Sequence, residues 1–372
     1  MHVSAEIIRQ QIRSILAAWG MPEPAVRTTA EAMVATDLAG VDSHGISMLM
    51  QYEDLWRRGQ LNPRAEPKVV RESAVTALLD AGAGLGHPAA VMAMELAIGK
   101  AQAAGIGAVS VINSSHFGAA GYYAALAPPQ GLVGLVTSTT RMVGVLPTRA
   151  AAPVLGTNPI AFAAPTRRHR PFLLDMSTST TAINKVKVYD FEGRPLPVGW
   201  VLNEAGQPIL DSAVAMDYLF HRGIGGLTAL GATEEMGSHK GYGLALMVQI
   251  LAGTLGGGAF SPLRNRTQRP SEPDNIGHFF LALDPKAFRA PGEFEDDLDA
   301  AIDVLRATAP SDPALPVLVP GDPEGLARER RLREGIPIPV ALAAKLQAVC
   351  ARSGVPYLLV PIGGAPAAGP DA

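Results

Sequence analysis

Two histidines sit in short runs of small residues, and each setting suits proton transfer. The first is in Asp42-Ser43-His44-Gly45, which opens a helical stretch. Ser43 could serve only as the helix N-cap, with His44 its neighbour. That does not explain a His followed by Gly, both poor helix formers. A helix N-terminus lowers an imidazole pKa and attracts anions, which suits a proton donor facing an oxyanion. The second is in Asn113-Ser114-Ser115-His116-Phe117-Gly118-Ala119-Ala120-Gly121, between an expected strand and an expected helix. A lone His in an apolar segment is usually a satisfied core residue. This one stands at the carboxyl end of a strand, where α/β sheets place ligands, among residues small enough to let a flat ring or phosphate approach the backbone.

Other segments could assist. Asp175-Met176-Ser177-Thr178-Ser179 ends an apolar strand with an acid and hydroxyls, able to bind a ribose or carboxamide or to cap the next helix. His239-Lys240 opens an apolar helix, and a Lys there opposes the helix dipole, which implies an anionic partner such as a phosphate. Gly156-Thr157-Asn158-Pro159 and Pro320-Gly321-Asp322 are turns, weak alone. Gly82-Ala83-Gly84-Leu85-Gly86 has the wrong spacing for a dinucleotide fingerprint, because His87 stands where the third glycine belongs and no acid follows about 20 residues on. It reads as a structural turn. His44, His87, His116 and His239 show no metal-ligand spacing, and Ser43 lacks the elbow motif of a serine hydrolase.

The elements that must hold these residues alternate between helix and strand. Residues 1–70 read as helical: Ser4 caps a helix with apolar face Ile8, Ile12, Ile15, Leu16 and Trp19; a second runs from Pro24 to Leu38, and a third from Ser43 to Arg58. Strands are expected at 75–79, 108–112, 131–138, 160–164, 172–175 and 279–283, with helices at 87–103 and 118–127. Nothing from Ala101 to Thr140 is charged, so this block belongs at the centre or at an interface. Tyr242 to Phe260 is uncharged but holds Gln249 and breaks at Gly253, which predicts a helix buried in a soluble core and no membrane span. Helices return at 293–305, 322–335 and 339–353, and the tail 361–372 is expected to be mobile. The domains expected are a helical one (1–70 with 293–360) and a sheet domain (71–292).

Composition agrees with an enzyme-sized globular chain. Of 372 residues, 48% are hydrophobic and 17% charged, which favours deep burial over disorder. The net charge of -3 argues against nucleic acid as a partner. A single cysteine, Cys350, excludes a disulfide framework, and with no apolar signal core at the start a reducing cytoplasm is the expected compartment.

Taken in order, Gly40-Val41-Asp42-Ser43-His44-Gly45, Asn113 to Gly121, Leu155 to Pro159, Asp175 to Ser179, Lys240-Gly241-Tyr242-Gly243 and Val319 to Asp322 resemble the malate/L-lactate dehydrogenase family of the non-Rossmann type over residues 5–355. Ureidoglycolate, sulfolactate, diketogulonate and cyclic-imine carboxylate enzymes belong to that family. The resemblance implies an α/β fold whose mixed sheet binds NAD or NADP without the usual glycine fingerprint, beside a helical domain built from both chain ends, and a homodimer. It implies that His44 handles the proton at the substrate carbonyl, oriented by Ser43, with His116 as the second active-site histidine; members differ in which histidine has the acid–base role. It places the cofactor against His116, Phe117, Gly118, Ala119, Ala120, Thr140, Asp175, Met176, Ser177, His239, Lys240, Gly321 and Asp322, and the small-molecule substrate against Thr157 and Asn158. Two departures stand out. Met48 occupies the position where the family usually has an Arg that grips a carboxylate. Ile183-Asn184-Lys185 stands where the imine reductases have an Asp that completes a Ser–His relay. The expected activity is hydride transfer between NAD(P)H and a small 2-oxo or 2-hydroxy acid; a cyclic-imine reductase and a cofactor-binding scaffold without turnover are the alternatives.

Overall fold

The computed structural model describes residues 1–362. β1 (His2–Val3) leads into α1 (Ala5–Ala18), where Ser4 Oγ accepts from Ile7 N–H at 3.3 Å and Ile8, Ile12, Ile15 and Leu16 are buried. α2 (Glu23–Leu38) follows, and α3 (Leu49–Arg57) is entered through a 3₁₀ turn at Ile46–Met48. The third helix therefore starts later than Ser43. Ser43 is not its cap, because the Asp37 carboxylate reaches from the end of α2 and accepts from Ile46 N–H at 2.8 Å. β2 (Lys68–Glu72) corrects the helical reading of residues 1–70; every residue of this edge strand is exposed, so no alternation marks it.

The central sheet has seven strands in the order β2-β3-β4-β11-β5-β7-β8. β3 (Thr76–Asp80) and β4 (Ile106–Ser114) are its parallel pair, joined by α4 (Gly86–Ala104). α5 (Ala120–Ala124) leads to β5 (Val133–Ser138). β4 and β5, from the uncharged block, flank β11 at the sheet's middle. β6 (Val145–Leu146), β9 (Val201–Leu202) and β10 (Gly226–Thr228) make a separate small sheet, packed with α6 (Ile183–Phe191) and α7 (Ser212–Phe220) around Val145, Val186, Val201, Leu219 and Leu227. Strands of two or three residues carry no readable period, so this unit went unseen within 71–292. β7 (Ile160–Ala164) and β8 (Phe172–Met176) complete the large sheet on one side.

α8 (Ser238–Val248) continues as a π-helical turn, Gln249–Thr254, and α9 (Ser261–Thr267) precedes β11 (Ile276–Leu283). Adjacent residues of β11 point to opposite faces: Phe280 joins the core under α4 and α5, whereas Phe279 packs with Val248 and Ala252 of the α8 segment. The helix expected to be buried at 242–260 is buried on one side only, and Leu246, Met247, Ile250 and Leu255 on its outer side are exposed. Only one face of this helix meets the sheet.

α10 (Glu293–Ala307), α11 (Asp322–Glu334), β12 (Ile336–Pro337) and α12 (Val340–Ser353) end the described fold. β1 pairs with β12, and one core joins Ile8, Ile12, Leu16, Leu49 and Tyr52 to Ile336, Leu346, Val349 and Leu359. α11 pairs its Glu329 with Arg170 of the β7–β8 loop, and α10 meets the same loop more extensively. Asp296, Asp299 and Asp303 of α10 pair with Arg167 and Arg168 in the β7–β8 loop. Of the expected mobile tail, residues 363–372 lie outside the described residues. Among the described residues no helix is long and apolar enough to cross a membrane.

Candidate active site

Strand direction gathers the motifs. β11 runs antiparallel to both β4 and β5, β7 antiparallel to β5, and β8 antiparallel to β7. The carboxyl ends of β3, β4, β5 and β8 and the amino ends of β7 and β11 therefore share one edge. The Gly82–Gly86 turn, the 113–121 loop, Thr139–Thr140, Thr157–Asn158, Asp175–Ser177 and Gly277–His278 all fall there. The helical core brings the His44 loop and α3 to the same edge.

The two predicted histidines meet: their ring centroids are 5.5 Å apart and the planes 27° from parallel. Ser43 Oγ lies 2.7 Å from His44 Nδ1. Gly118 N–H donates to His116 Nδ1 at 3.2 Å, and the Tyr52 hydroxyl lies 2.8 Å from the same nitrogen. The amide can only donate, so Nδ1 carries a lone pair, Tyr52 donates to it as well, and the His116 proton resides on Nε2. Burial pushes the His44 pKa below 6.5. Burial, then the neighbouring His44, His87 and His278, pushes that of His116 well below it.

Sequence reasoning missed four supporting groups. Tyr52 follows His44 and Met48 at four-residue steps, a helical-face signal open to sequence reading. His278 is stacked on Phe117 at 4.3 Å and clamped between Ser138 Oγ (2.8 Å) and Ser114 Oγ (2.9 Å); burial pushes its pKa down to about 3. His87 is fully buried edge-on to Tyr52 with both ring nitrogens unpartnered, and burial takes its pKa down to about 3. Asp37 is the fourth: its carboxyl group, whose pKa burial pushes up to about 8, lies directly beneath Gly45, where a Cβ would overlap it.

The remaining predicted residues are distributed unevenly. The Phe117 ring lies in the core between Tyr123 and His278, and its carbonyl accepts from the Tyr123 hydroxyl. Gly121 N–H donates to Asp175 Oδ2 at 2.7 Å, and burial pushes the Asp175 pKa up to about 6. Thr178 N–H donates to Thr157 O, joining two of the turns. Asn158 is 1% exposed and donates from Nδ2 to Ala245 O at 2.9 Å, tying the 156–159 turn to α8. Thr140 Oγ donates to Met142 O, and Ser177 bonds with Ser179. Gly321, at φ +100°, turns the chain beside Leu173 of β8, and the Asp322 carboxylate accepts from Arg306 and Val319 N–H. His239 and Lys240 are exposed at the start of α8. Met48 is half-buried against the helical core. Lys185 lies over the Trp200 ring at 5.2 Å. Among the described residues no group of acidic, His or Cys side chains is arranged to hold a metal.

The profile of the malate/L-lactate dehydrogenase family matches residues 3–347. The chain belongs to this family. It is 38% identical over 343 residues to malate dehydrogenase of Pyrococcus horikoshii, 92% of each chain, and 34% identical to L-sulfolactate dehydrogenase of Methanothermobacter thermautotrophicus, over 93% and 95%. The solved malate dehydrogenase of Entamoeba histolytica superposes with a TM-score of 0.90 at 30% identity, covering 96% of this chain and 99% of that one. A Δ1-pyrroline-2-carboxylate/Δ1-piperideine-2-carboxylate reductase of Pseudomonas putida is 33% identical over 68% of this chain and 71% of its own. The relatives named are dehydrogenases and a reductase, so this chain belongs to a family of oxidoreductases.

Proposed function

We propose that this protein is an NAD(P)-dependent oxidoreductase interconverting a small 2-oxo acid and its 2-hydroxy acid. The observation that carries the reading is the His44–His116 pair, with the two rings in different states. His116 has its Nδ1 saturated by two donors and offers Nε2–H, a fixed hydrogen-bond donor for the substrate oxygen. His44 has one partner, Ser43, and is the ring left to give a proton to that oxygen in reduction and remove it in oxidation.

The residues present fit NAD or NADP. Gly118 (φ +78°), Ala119 and Ala120 form a wall without bulk, Asp175 uses one oxygen on Gly121 and keeps the other for a ribose or carboxamide, and Lys240 is an exposed cation. The nicotinamide, when bound, supplies or takes the hydride. A homodimer is part of the reading, supported by the exposed apolar side of α8.

His44→Ala is expected to keep NADH or NADPH binding, followed by fluorescence, while turnover falls at least about 10²-fold. Unchanged turnover sinks the assignment. One observation favours a second reading: Met48 presents no cation beside His44, and reductases of cyclic imines are among the relatives. Loss of 340-nm absorbance across 2-oxo acids, esters and cyclic imines separates the two. Binding without turnover on all of them marks a scaffold.

A further inference from the structure

The loop that carries Ser43 and His44 is braced locally by backbone hydrogen bonds from Val41 N–H to Thr36 O at 3.1 Å and from His44 N–H to Val41 O at 3.0 Å. It leaves α2 through Ala39 and Gly40, with Gly40 at φ +86°, and re-enters a helix at Ile46. Three side-chain anchors add to these bonds. Asp37 accepts Ile46 N–H, Ser47 Oγ donates to Asp42 O at 2.5 Å, and a residue nearly 290 positions away supplies the third. Arg331, in the last turn of α11, is 7% exposed. Its Nη2 donates to Asp42 Oδ2 at 2.9 Å, and its Nη1 reaches both Asp42 Oδ1 and the Asp37 carbonyl. A fork onto a carboxylate fixes direction as well as distance. α11 also packs closely on the loop's entry, since a Cβ on Gly40 would come within 3.2 Å of Ala327 Cβ.

Resting on the dehydrogenase reading, we propose that Arg331 is a positioning residue for His44: by clasping Asp42 and the end of α2, it sets the imidazole against His116. Arg331 touches neither ring, so its effect passes through the loop. An ion pair half open to water adds little stability, since Asp42 is 54% exposed. Its geometric effect is larger, because a displacement of about 1 Å at a reacting group costs about 10²-fold in rate.

The test uses the full-length chain with Arg331→Met, Arg331→Lys, Asp42→Asn and the Arg331→Met/Asp42→Asn double variant. Arg331→Met is expected to lower kcat by about 10²-fold while the substrate KM and NADH or NADPH binding stay within about 2-fold. Arg331→Lys is expected to recover part of kcat, because an ammonium reaches Asp42 but cannot fork. The double variant is expected to be no worse than Arg331→Met alone, as for two residues acting as one unit. Should Arg331→Met fail to fold, Asp42→Asn, at an exposed side chain, carries the same expectation in weaker form. Labelled histidine ring resonances supply a readout independent of turnover: the His44 signal, assigned by its loss in His44→Ala, is expected to move in Arg331→Met and Asp42→Asn. Wild-type kcat with an unmoved His44 signal overturns the clasp. So does a fall in kcat matched by equal loss of cofactor binding and of folded protein. A wild-type protein without turnover overturns the dehydrogenase reading instead, and the ring resonance still decides the clasp.

Discussion

Gly118 N–H and the Tyr52 hydroxyl leave His116 a single exchangeable face, Nε2, and burial keeps that ring neutral. Under the proposed function, proton exchange then belongs to His44, and its pH dependence has a definite sign. Burial disfavours the imidazolium, so the His44 pKa in the free enzyme lies below 6.5 and the ring is a neutral base at pH 7. Oxidation of the hydroxy acid needs that neutral base. Its kcat/KM is expected to be flat above about pH 7 and to fall as pH drops through a value under the reference His pKa. Reduction needs the protonated ring, so its kcat/KM is expected to fall about tenfold per pH unit above the same value. Profiles in both directions check this, and an acid limb above pH 7 for oxidation contradicts it. At this scale the sequence was legible where chemistry leaves a local mark. Ser43-His44 and Ser115-His116 stand in unusual company. His278 and Asp37 do not, because their roles depend on partners 140 or more residues away for the first and on a turn from another element for the second.

The Gly82–Gly86 turn, whose spacing does not match a dinucleotide fingerprint, positions the 113–121 loop by contact. Gly86 N–H donates to His116 O at 3.0 Å, and a Cβ there would meet Ser115 O at 2.6 Å and Phe117 Cβ at 2.7 Å. Gly86→Ala forces backbone apart and is expected to cost about 1–3 kcal/mol, with kcat falling as His116 shifts. Gly99→Ala, in the same α4 with open space at its Cβ, is expected to be neutral or to stabilise by up to about 1 kcal/mol. Urea unfolding midpoints of the two variants check the contrast, and equal midpoints refute it. The long elements were readable because their periods are long: α1, α2, α4 and β11 fall within a few residues of expectation. The β6–β9–β10 sheet was not, because its strands are set by pairing across distant segments. Nor was the true start of α3, which a carboxylate from α2 decides.

For the molecule as a whole, the uncovered side of α8 and its π-helical turn presents Leu246, Met247, Ile250 and Leu255 to solvent in one line. A second copy packed there gives the proposed homodimer. Ile250→Glu is expected to turn the dimer into monomer in sedimentation velocity; a wild-type monomer, or a variant that still dimerises, removes α8 from the interface. The helical core has a different logic. It is closed by residues 3–61 together with 336–359, whereas the large sheet is complete once β11 ends at Leu283. During synthesis the sheet, with His116 at its edge, can therefore form before the chain is finished. The His44 side cannot, because Arg331 and α12 are still inside the ribosome. A nascent or truncated chain would carry one half of the histidine pair on a formed scaffold and the other on an unanchored segment, and under the proposed function would stay chemically silent until α12 had been made.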